Sequence, residues 1–369
     1  MRRAAVACAT MMLACTGGEP QSGTGALESA SQRAASSAVR TVPDAEFFRV
    51  AAVRVLSDQR VVVADGSQTV RWFSADGGLV ARAGGKGSGP GEFQFLSRLD
   101  VLHGDTVAAV DPAQRRVTVF APDAMLVRVV ATEMPSGLGR AVSVGRTTSG
   151  RLLIRRFAGL RGRSGRWRDT STFQLMGEDG SGPVRSGRYA GMEYFADDGE
   201  PGPVPNYQLA FSGVSSAAVT GDTVWILVEG GPRLDGWLEG ERIIVDSLPG
   251  SLRQLSDAEI RDWMLAAESR VPSERRVAWR ETRDRIPVIG EMPPFDSLLA
   301  GGDGTLWVRR QRFEETGPET WLRVRGNSTL PGELLLPNRF RAFDVGTDYV
   351  AGVRLGELDQ ESVEVLVFD

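Results

Sequence analysis

Cysteine and histidine are almost absent from this chain of 369 residues. The only cysteines are Cys8 and Cys15, so the chain after residue 15 can form neither disulfides nor thiolate metal sites. His103 is the single histidine, which excludes a three-histidine zinc site. A Ser-His-Asp triad would need His103 as its base, and no G-x-S-x-G sequence accompanies it. We therefore expect a fold that is stabilised by packing, with His103 as a solvated turn residue.

Lysine is equally scarce, because Lys86 is the only one and all other basic residues are arginine. The net charge is −4, so the chain lacks the basic field that holds a nucleic-acid backbone. Nucleic acid is therefore not an expected partner. Long apolar runs are also missing, whereas glycine is frequent, with 44 residues. Many turns between short segments favour an all-β chain.

The N-terminus has the pattern of an export signal. Arg2 and Arg3 precede a short apolar segment at residues 4–13, and no later stretch is long enough to span a bilayer. Residues 12–15 (MLAC) resemble the bacterial lipobox, although Met12 stands where leucine is usual. The resemblance implies acylation of Cys15, with residues 1–15 as a lipoprotein signal peptide. An ordinary cleaved signal with two incidental cysteines is the alternative.

Residues 16–39 are small and polar, a composition that does not bury enough apolar area to fold, so we expect a flexible tether there. The acyl chains would hold the protein on a membrane. Thr16 does not resemble the aspartate that retains some lipoproteins at the inner membrane. The expected location is therefore the periplasm, at the outer membrane.

One pattern recurs along the rest of the chain: a tight polar turn is followed at once by a short β-branched or apolar run. Its six copies predict six structural repeats, and two long intervals between copies predict insertions. The turns are Ser57-Asp58-Gln59, Gly104-Asp105-Thr106, Ser149-Gly150, Gly221-Asp222-Thr223, Asp303-Gly304-Thr305 and Thr347-Asp348.

Each of the first two copies has four strand-like segments in about 45 residues, which is typical of a propeller blade. The last copy has room for one strand too few before the chain ends. Residues 38–42 (AVRTV) can supply that strand, because an uncovered edge would promote aggregation. The sequence thus predicts an all-β, six-bladed β-propeller over residues 40–369. It has four antiparallel strands per blade and is closed by the N-terminal strand.

A glycine-rich segment lies between the first two repeats, at residues 84–93 (GGKGSGPGEF). It resembles the inter-blade linker of NHL-type repeats. From about residue 40 onward the chain resembles the bacterial six-bladed β-propeller lipoproteins, a family without a general activity. A phosphate-binding loop is the alternative, but the strand, GxxxxGK[ST] and helix order of such a loop is missing.

Carboxylates allow a metal-dependent alternative. Propeller enzymes similar to the gluconolactonase group hold a divalent cation on the central axis through oxygen ligands from separate blades. Asp65, Asp100 and Asp111 are candidates of that kind, with calcium as the cation. The competing interpretation is turn chemistry, which favours aspartate by itself. No cofactor is otherwise expected.

The first insertion, residues 155–202, is rich in arginine around one tryptophan. Arg163, Arg166 and Trp167 are therefore candidate contacts for an anionic or glycan ligand. An ordinary solvated loop explains the same composition, since a local charge run is usually a solvated face.

The second insertion, about residues 255–286, predicts helices. Ser256 and Glu259 form a capping-box pattern, and an apolar stripe follows with helical spacing. A more polar helical segment follows at residues 273–283. Trp263 and Trp279 are candidate ligand contacts on this insertion, and local packing is the alternative for both.

Two classes of function remain open. The first is a non-enzymatic binding or scaffolding propeller at the bacterial envelope, for a protein, peptide or glycan, including a structural role in an outer-membrane assembly. The second is a metal-dependent, lactonase-like hydrolase or lyase that uses axial carboxylates. A fold alone does not decide between them.

Overall fold

The computed structural model describes residues 33–34, 38–42, 46–132, 141–157, 165–177, 185–196, 206–238, 241–245, 247–313, 317–325 and 328–368. Within these ranges the protein is mostly β-strand, with two short α-helices. The described strands form six sheets of four or five members and one two-stranded pair. The predicted all-β class with a small helical part is confirmed.

Two short strands, β1 (Arg33–Ala34) and β2 (Ala38–Thr41), precede the sheets, which we number in chain order. Sheets 1 and 2 are antiparallel and take their four strands consecutively from the chain. Sheet 1 contains β3 (Ala52–Val55), β4 (Val61–Ala64), β5 (Thr69–Phe73) and β6 (Leu79–Gly84). Sheet 2 contains β7 (Arg98–Val101), β8 (Val107–Asp111), β9 (Arg116–Phe120) and β10 (Leu126–Ala131).

Sheets 3 and 4 follow the same order, and sheet 3 carries longer strands and a fifth member. Sheet 3 contains β11 (Ala141–Arg146), β12 (Leu152–Phe157), β13 (Gly165–Met176), β14 (Arg185–Ala196) and β15 (Asn206–Gln208). Sheet 4 contains β16 (Ser216–Thr220), β17 (Thr223–Leu227), β18 (Leu234–Leu238) and β19 (Glu241–Val245).

The helical insertion follows sheet 4, between the paired strands β20 (Arg253–Gln254) and β21 (Glu291–Met292). Its helices are α1 (Asp257–Ser269) and α2 (Arg276–Arg283). Helix α1 starts at the predicted capping box, in which Ser256 and Glu259 bond each other's backbone N–H groups. Both predicted helical segments are confirmed.

The N-terminal strands complete the last two sheets. β1 pairs in parallel with the outer strand of sheet 5, and β2 pairs antiparallel with the last strand of sheet 6. Sheet 5 contains β22 (Phe295–Ala300), β23 (Leu306–Arg310), β24 (Glu319–Arg325) and β25 (Ser328–Leu336). Sheet 6 contains β26 (Phe340–Val345), β27 (Tyr349–Leu355) and β28 (Glu361–Val367).

The predicted closing strand is thus confirmed, but ordered structure begins earlier than expected. β1 and the first residues of β2 lie within residues 16–39, where the sequence predicts a flexible tether. Both strands pair through their backbones, because the edge of a neighbouring strand supplies the hydrogen bonds. Most of the predicted tether, residues 16–32, lies outside the described residues, so the domain boundary at residue 40 stays a prediction.

Hydrophobic clusters join each sheet to the next. Trp72, Phe93 and Phe120 pack between sheets 1 and 2. Further clusters join sheets 2 and 3, 3 and 4, 4 and 5, and 5 and 6. Val53 of sheet 1 and Val363 of sheet 6 belong to the cluster that completes the circle. The sheets thus form a closed ring in which neighbouring first strands contact each other, an arrangement consistent with a β-propeller.

The glycine-rich segment at residues 84–93 connects sheet 1 to sheet 2. Gly84 has a φ of +91°, and a Cβ there would lie 2.9 Å from the ring of Phe93. Phe93 is fully buried between the two sheets, and its N–H donates to the carbonyl of Gly85 at 2.8 Å. These glycines therefore allow the chain to turn tightly over a buried aromatic ring, which supports the linker interpretation.

Candidate functional site

A cavity of about 950 Å³ lies where the first strands of the six sheets face one another. Each first strand contributes to the lining, and so do the turns that follow it in sheets 1 to 5 and Tyr349 of β27 in sheet 6. The volume suits a small molecule, since ligand pockets typically measure about 300–1,000 Å³. Among the described residues, sheets 4 and 5 contribute only uncharged ones, at positions 217–221 and 298–302. The cavity therefore has one uncharged side and one charged side.

The six turns predicted from the sequence all connect the first strand of a sheet to its second strand. Because the first strands run side by side around the ring, these turns lie together at one end of the cavity. Aspartates bridge neighbouring turns in three places. Asp105 accepts hydrogen bonds from Ser57, Asp222 from Ser149, and Asp303 from Thr347.

Arg98, Asp100 and Arg146 form the charged wall on sheets 2 and 3. Arg98 and Asp100 are two residues apart on β7 and so share a face, where Nε of Arg98 donates to Oδ1 of Asp100 at 2.7 Å. Gly145 lies beside Arg98, where a Cβ would be 3.6 Å from Nη2, and it is required by sheet 4, since the same Cβ would lie 2.9 Å from Val219. Burial lowers the pKa of Arg98, which Asp100 opposes, and burial also lowers the pKa of Arg146. Both guanidinium groups remain charged, and an anion in the cavity would offset the cost of their desolvation.

Arg54, Asp344 and Tyr349 form the wall on sheets 1 and 6. Oδ2 of Asp344 accepts a hydrogen bond from the N–H of Val55 at 2.9 Å and another from Oη of Tyr349 at 3.2 Å. Nη1 of Arg54 donates across the same junction to the carbonyl of Phe343 at 2.6 Å. Burial raises the pKa of Asp344 and also that of Tyr349. The pairing of β26 with β27 shifts register just before Asp344, and such a bulge re-aims a side chain.

Positive charge exceeds negative charge on the cavity wall. Among the described residues, the charged ones that line the cavity are four arginines and three aspartates, namely Arg54, Arg98, Arg128, Arg146, Asp100, Asp105 and Asp344. Four against three leaves an excess of one positive charge, and protonation of Asp344 would leave an excess of two. A partly enclosed cavity with such an excess favours an anion, because charges interact more strongly away from bulk water.

His103 lies at the edge of the cavity, in the short 3-10 turn between β7 and β8. Its side chain is exposed. The prediction of a solvated turn histidine is confirmed.

The three aspartates considered for calcium do not come together. Only Asp100 lines the cavity. Asp65 follows the second strand of sheet 1, and Asp111 is the last residue of the second strand of sheet 2. Asp65 accepts a hydrogen bond from the N–H of Phe48 at 3.4 Å, and Asp111 accepts one from the N–H of Gln94 at 2.7 Å. Asp65 and Asp111 therefore stabilise turns and linkers, which agrees with the interpretation that turn chemistry alone explains these aspartates. Within the described ranges no three His, Cys, Asp or Glu side chains form a group that could hold a metal ion.

Two of the three candidate contacts of the first insertion lie on a long hairpin, and not in the solvated loop of the alternative interpretation. Arg166 and Trp167 belong to β13, and β14 supplies their partners. Arg166 pairs with Glu193, and Trp167 stacks on Tyr194 with ring centroids 4.9 Å apart. Arg163 lies outside the described residues. The two visible candidates are thus held by their own hairpin, because extended strands place cross-strand neighbours in contact.

The candidate tryptophans of the helical insertion pack locally. Trp263 is half-buried against Phe211, with ring centroids 5.1 Å apart, in a cluster that also contains Phe313. Trp279 lies beneath the guanidinium of Arg283, 5.3 Å from its ring centroid. None of the described residues 255–290 lines the cavity. The structure therefore does not bring either tryptophan to the candidate site.

Cys15, the predicted lipidation site, lies outside the described residues. Among the helices that the structure describes, none combines the length and the apolar character needed to cross a bilayer.

Sequence reasoning missed Arg54, Arg98, Arg146, Asp344 and Tyr349. A signal was present, because Arg54, Arg146 and Asp344 each lie shortly before one of the six turns, within an otherwise mostly uncharged strand. The side chain of a charged residue in such a strand faces either the cavity or the neighbouring sheet. Sequence spacing does not separate these two outcomes.

No protein-family model matches the chain. No curated protein matches its sequence either. Solved structures resemble it only distantly, and all those described here have TM-scores below 0.5. A Bacteroides fragilis protein named for its presumed export has a TM-score of 0.48 at 13% identity and covers 89% of this chain and 92% of its own.

Two further structures are similarly distant from this chain. A Bacteroides vulgatus member of the duf4221 family has a TM-score of 0.47 at 8% identity and covers 90% of this chain and 97% of its own. Virginiamycin B lyase from Staphylococcus aureus has a TM-score of 0.42 at 10% identity and covers 89% of this chain and 99% of its own. These likenesses are too distant to indicate an activity.

Proposed function

We propose that this chain is a six-bladed β-propeller whose central cavity binds a small organic anion with an apolar body. Each of the six sheets serves as one blade. Support for six blades comes from the clusters that join every sheet to the next and sheet 6 back to sheet 1. The proposal keeps the binding propeller of the leading sequence-based hypothesis, but it replaces the protein, peptide or glycan ligand with a small anion that binds in the cavity.

The main support for this proposal is the uneven distribution of charge on the cavity wall. Arginines on sheets 1, 2 and 3 give it an excess of positive charge, whereas sheets 4 and 5 present uncharged residues such as Ala218 and Leu298. A carboxylate beside Arg98 and Arg146 would offset their desolvation, and an apolar body would cover the opposite side. Small-molecule sites combine these features: apolar walls and a few placed polar groups.

Calorimetric titration with benzoate and with its neutral amide, benzamide, tests the proposal. We expect benzoate to bind and benzamide to bind much more weakly. Arg98→Gln should weaken benzoate binding about tenfold, since a hydrogen bond to a charged group contributes about 1.5 kcal/mol or more. Arg98→Lys keeps the charge and should lie between the two. Arg82 is exposed on β6 and outside the cavity, so Arg82→Gln is the matched control.

Two results would contradict the proposal. One is equal binding of benzoate and benzamide to the wild-type protein, because charge would then play no part. The other is unchanged benzoate affinity in an Arg98→Gln variant that melts at the wild-type temperature.

The proposal includes export and attachment to a membrane through acylated Cys15, at the outer membrane. Its support is the lipobox-like MLAC sequence at residues 12–15. Labelling with a radioactive fatty acid in a bacterial host, followed by membrane fractionation, tests it. Cys15→Ala should lose the label and Cys8→Ala should keep it.

The metal-dependent alternative finds less support, because only Asp100 of its three candidate ligands reaches the cavity. Elemental analysis after dialysis, with melting before and after a chelator, separates the two functions. A binding propeller should show no stoichiometric calcium and no change in melting temperature. Bound calcium with a lower melting temperature after chelation would favour the hydrolase or lyase.

A further inference from the structure

Asp100 holds the guanidinium of Arg98 from one side. Nε of Arg98 donates to Oδ1 of Asp100 at 2.7 Å, and this is the only hydrogen bond of the guanidinium among the described residues. Oδ2 of Asp100 is buried and has no hydrogen-bond partner within the described part of the chain. The two side chains are therefore joined through Nε alone, which leaves Nη1 and Nη2 of Arg98 for a ligand.

The Nη end of Arg98 lies at the cavity. Nη2 is close to Gly145 of β11, since a Cβ on Gly145 would lie 3.6 Å from it, and both residues line the cavity. The Arg98 side chain keeps 24% of its surface exposed, whereas that of Asp100 keeps only 8%. The carboxylate is thus the buried member of the pair, and the guanidinium is the member that a bound molecule can reach.

The chemistry of a guanidinium group limits how Arg98 can bind an anion. Its N–H groups form a planar fork that can make two parallel hydrogen bonds to two oxygens of one anionic group. Such a pair of bonds uses either Nε and one Nη atom, or both Nη atoms. Because Asp100 occupies Nε, the arrangement with both Nη atoms is the one that remains.

Resting on the proposed function, we propose that Asp100 positions Arg98 so that Nη1 and Nη2 bind the two oxygens of one ligand carboxylate. The ligand class is thereby an organic monocarboxylate. Its two oxygens match the two Nη atoms, and its single negative charge matches the excess of one positive charge that four arginines and three aspartates leave on the described wall. Asp100 bonds the arginine and not the ligand, so it is a positioning residue.

Calorimetric titration of Asp100 variants with benzoate tests the positioning role. Asp100→Asn and Asp100→Ala both remove a negative charge from the wall, so electrostatics alone predicts tighter benzoate binding for both. Asp100→Asn keeps an oxygen acceptor for Nε and should bind benzoate at least as tightly as wild type. Asp100→Ala releases the guanidinium and should weaken binding about tenfold, despite the favourable change of charge. Asp262 is exposed on α1 and outside the cavity, so Asp262→Ala should keep the wild-type affinity.

Pentafluorobenzoate and pentafluorophenolate test the ligand class. Both anions carry the same ring and are ionised at neutral pH, but the first presents two oxygens and the second only one. We expect wild type to bind pentafluorobenzoate about tenfold more tightly, because one N–H of the fork finds no acceptor in the phenolate. Arg98→Lys should bind the two anions about equally, since an ammonium group acts as a point charge.

The outcomes separate this inference from the proposed function. Unchanged or tighter benzoate binding by an Asp100→Ala variant with wild-type thermal stability would overturn the inference alone. Equal affinity of wild type for the two pentafluoro anions would also overturn it, and that comparison needs no variant to fold. Failure of benzoate to bind the wild-type protein would overturn both proposals.

Discussion

Asp105 on sheet 2 accepts two hydrogen bonds from Ser57 on sheet 1, one from the backbone N–H at 3.0 Å and one from Oγ at 2.6 Å. Both residues lie in turns at the same end of the cavity. A similar contact joins Asp222 to Ser149, where the backbone N–H of Ser149 lowers the pKa of Asp222. Turn residues that set the hairpins thus also connect neighbouring sheets.

Asp105→Ala should lower the free energy of unfolding by about 1 kcal/mol, since it removes acceptors from two partly exposed donors. Urea denaturation followed by tryptophan fluorescence measures the effect. Asp123→Ala, at an exposed residue whose carboxylate accepts from the N–H of Met125 within its own turn, is the control and should change stability less. Equal effects of the two substitutions would show that the bridge between the turns contributes nothing.

Removal of residues 1–42 should destabilise the ring and promote association. β2 covers the edge of β28, the N–H of Val42 donates to the carbonyl of Val363, and Arg40 donates to carbonyls of sheet 1. Without these contacts β28 becomes an open edge, and open edges pair with other chains. Melting and light scattering should separate this variant from one that lacks only residues 1–32. Identical behaviour would contradict a closing role for β2.

The raised pKa of Asp344 predicts a pH dependence of stability. The folded state holds the proton to higher pH than the unfolded state, so wild-type stability falls from the ordinary aspartate pKa up to the folded pKa. Asp344→Asn carries no such charge and should avoid that loss. Its advantage over wild type should be absent at low pH and grow by about 1.4 kcal/mol for each pKa unit of the shift. Denaturant midpoints at several pH values measure it, and a constant difference would contradict it.

Asp235 is fully buried and connects sheets 3 and 4. It accepts hydrogen bonds from Arg233 at 2.8 Å and from Oη of Tyr189 at 3.1 Å, and burial raises the pKa of Tyr189 to about 12. Asp235→Ala leaves these donors without their acceptor and should cost about 2 kcal/mol, because the arginine is partly solvated. Urea denaturation checks this, with Asp262→Ala as the exposed control. A loss no greater than the control would contradict the role of Asp235.

Much of the fold could be predicted from residue patterns. The six polar turns mark real hairpins, because glycine, aspartate and serine adopt turn geometry through local interactions. Ser256 and Glu259 likewise mark the start of α1, since a capping box involves only neighbouring residues. The closing N-terminal strand could be predicted because the last repeat has room for one strand too few. Each of these inferences depends on short-range chemistry or on the simple need to cover an edge.

The candidate site could not be predicted in the same way. Arg166 and Trp167 resemble a ligand site in the sequence because they are adjacent, yet residues of their own hairpin hold both. Arg54, Arg98 and Asp344 are far apart in the chain and meet only when the ring closes. Long-range proximity of this kind has no local signature.

The sequence by itself determined the turns, the strands they separate, the helical insertion and the need for an N-terminal strand. Tertiary structure alone decided which charged residues face the cavity, because a one-residue change of register moves a strand side chain to the opposite face. It also decided the state of Asp344, whose pKa depends on burial and on partners from two other strands. The pKa of a charged group in the closed ring depends on the residues around it, and the packing of the sheets decides which residues those are.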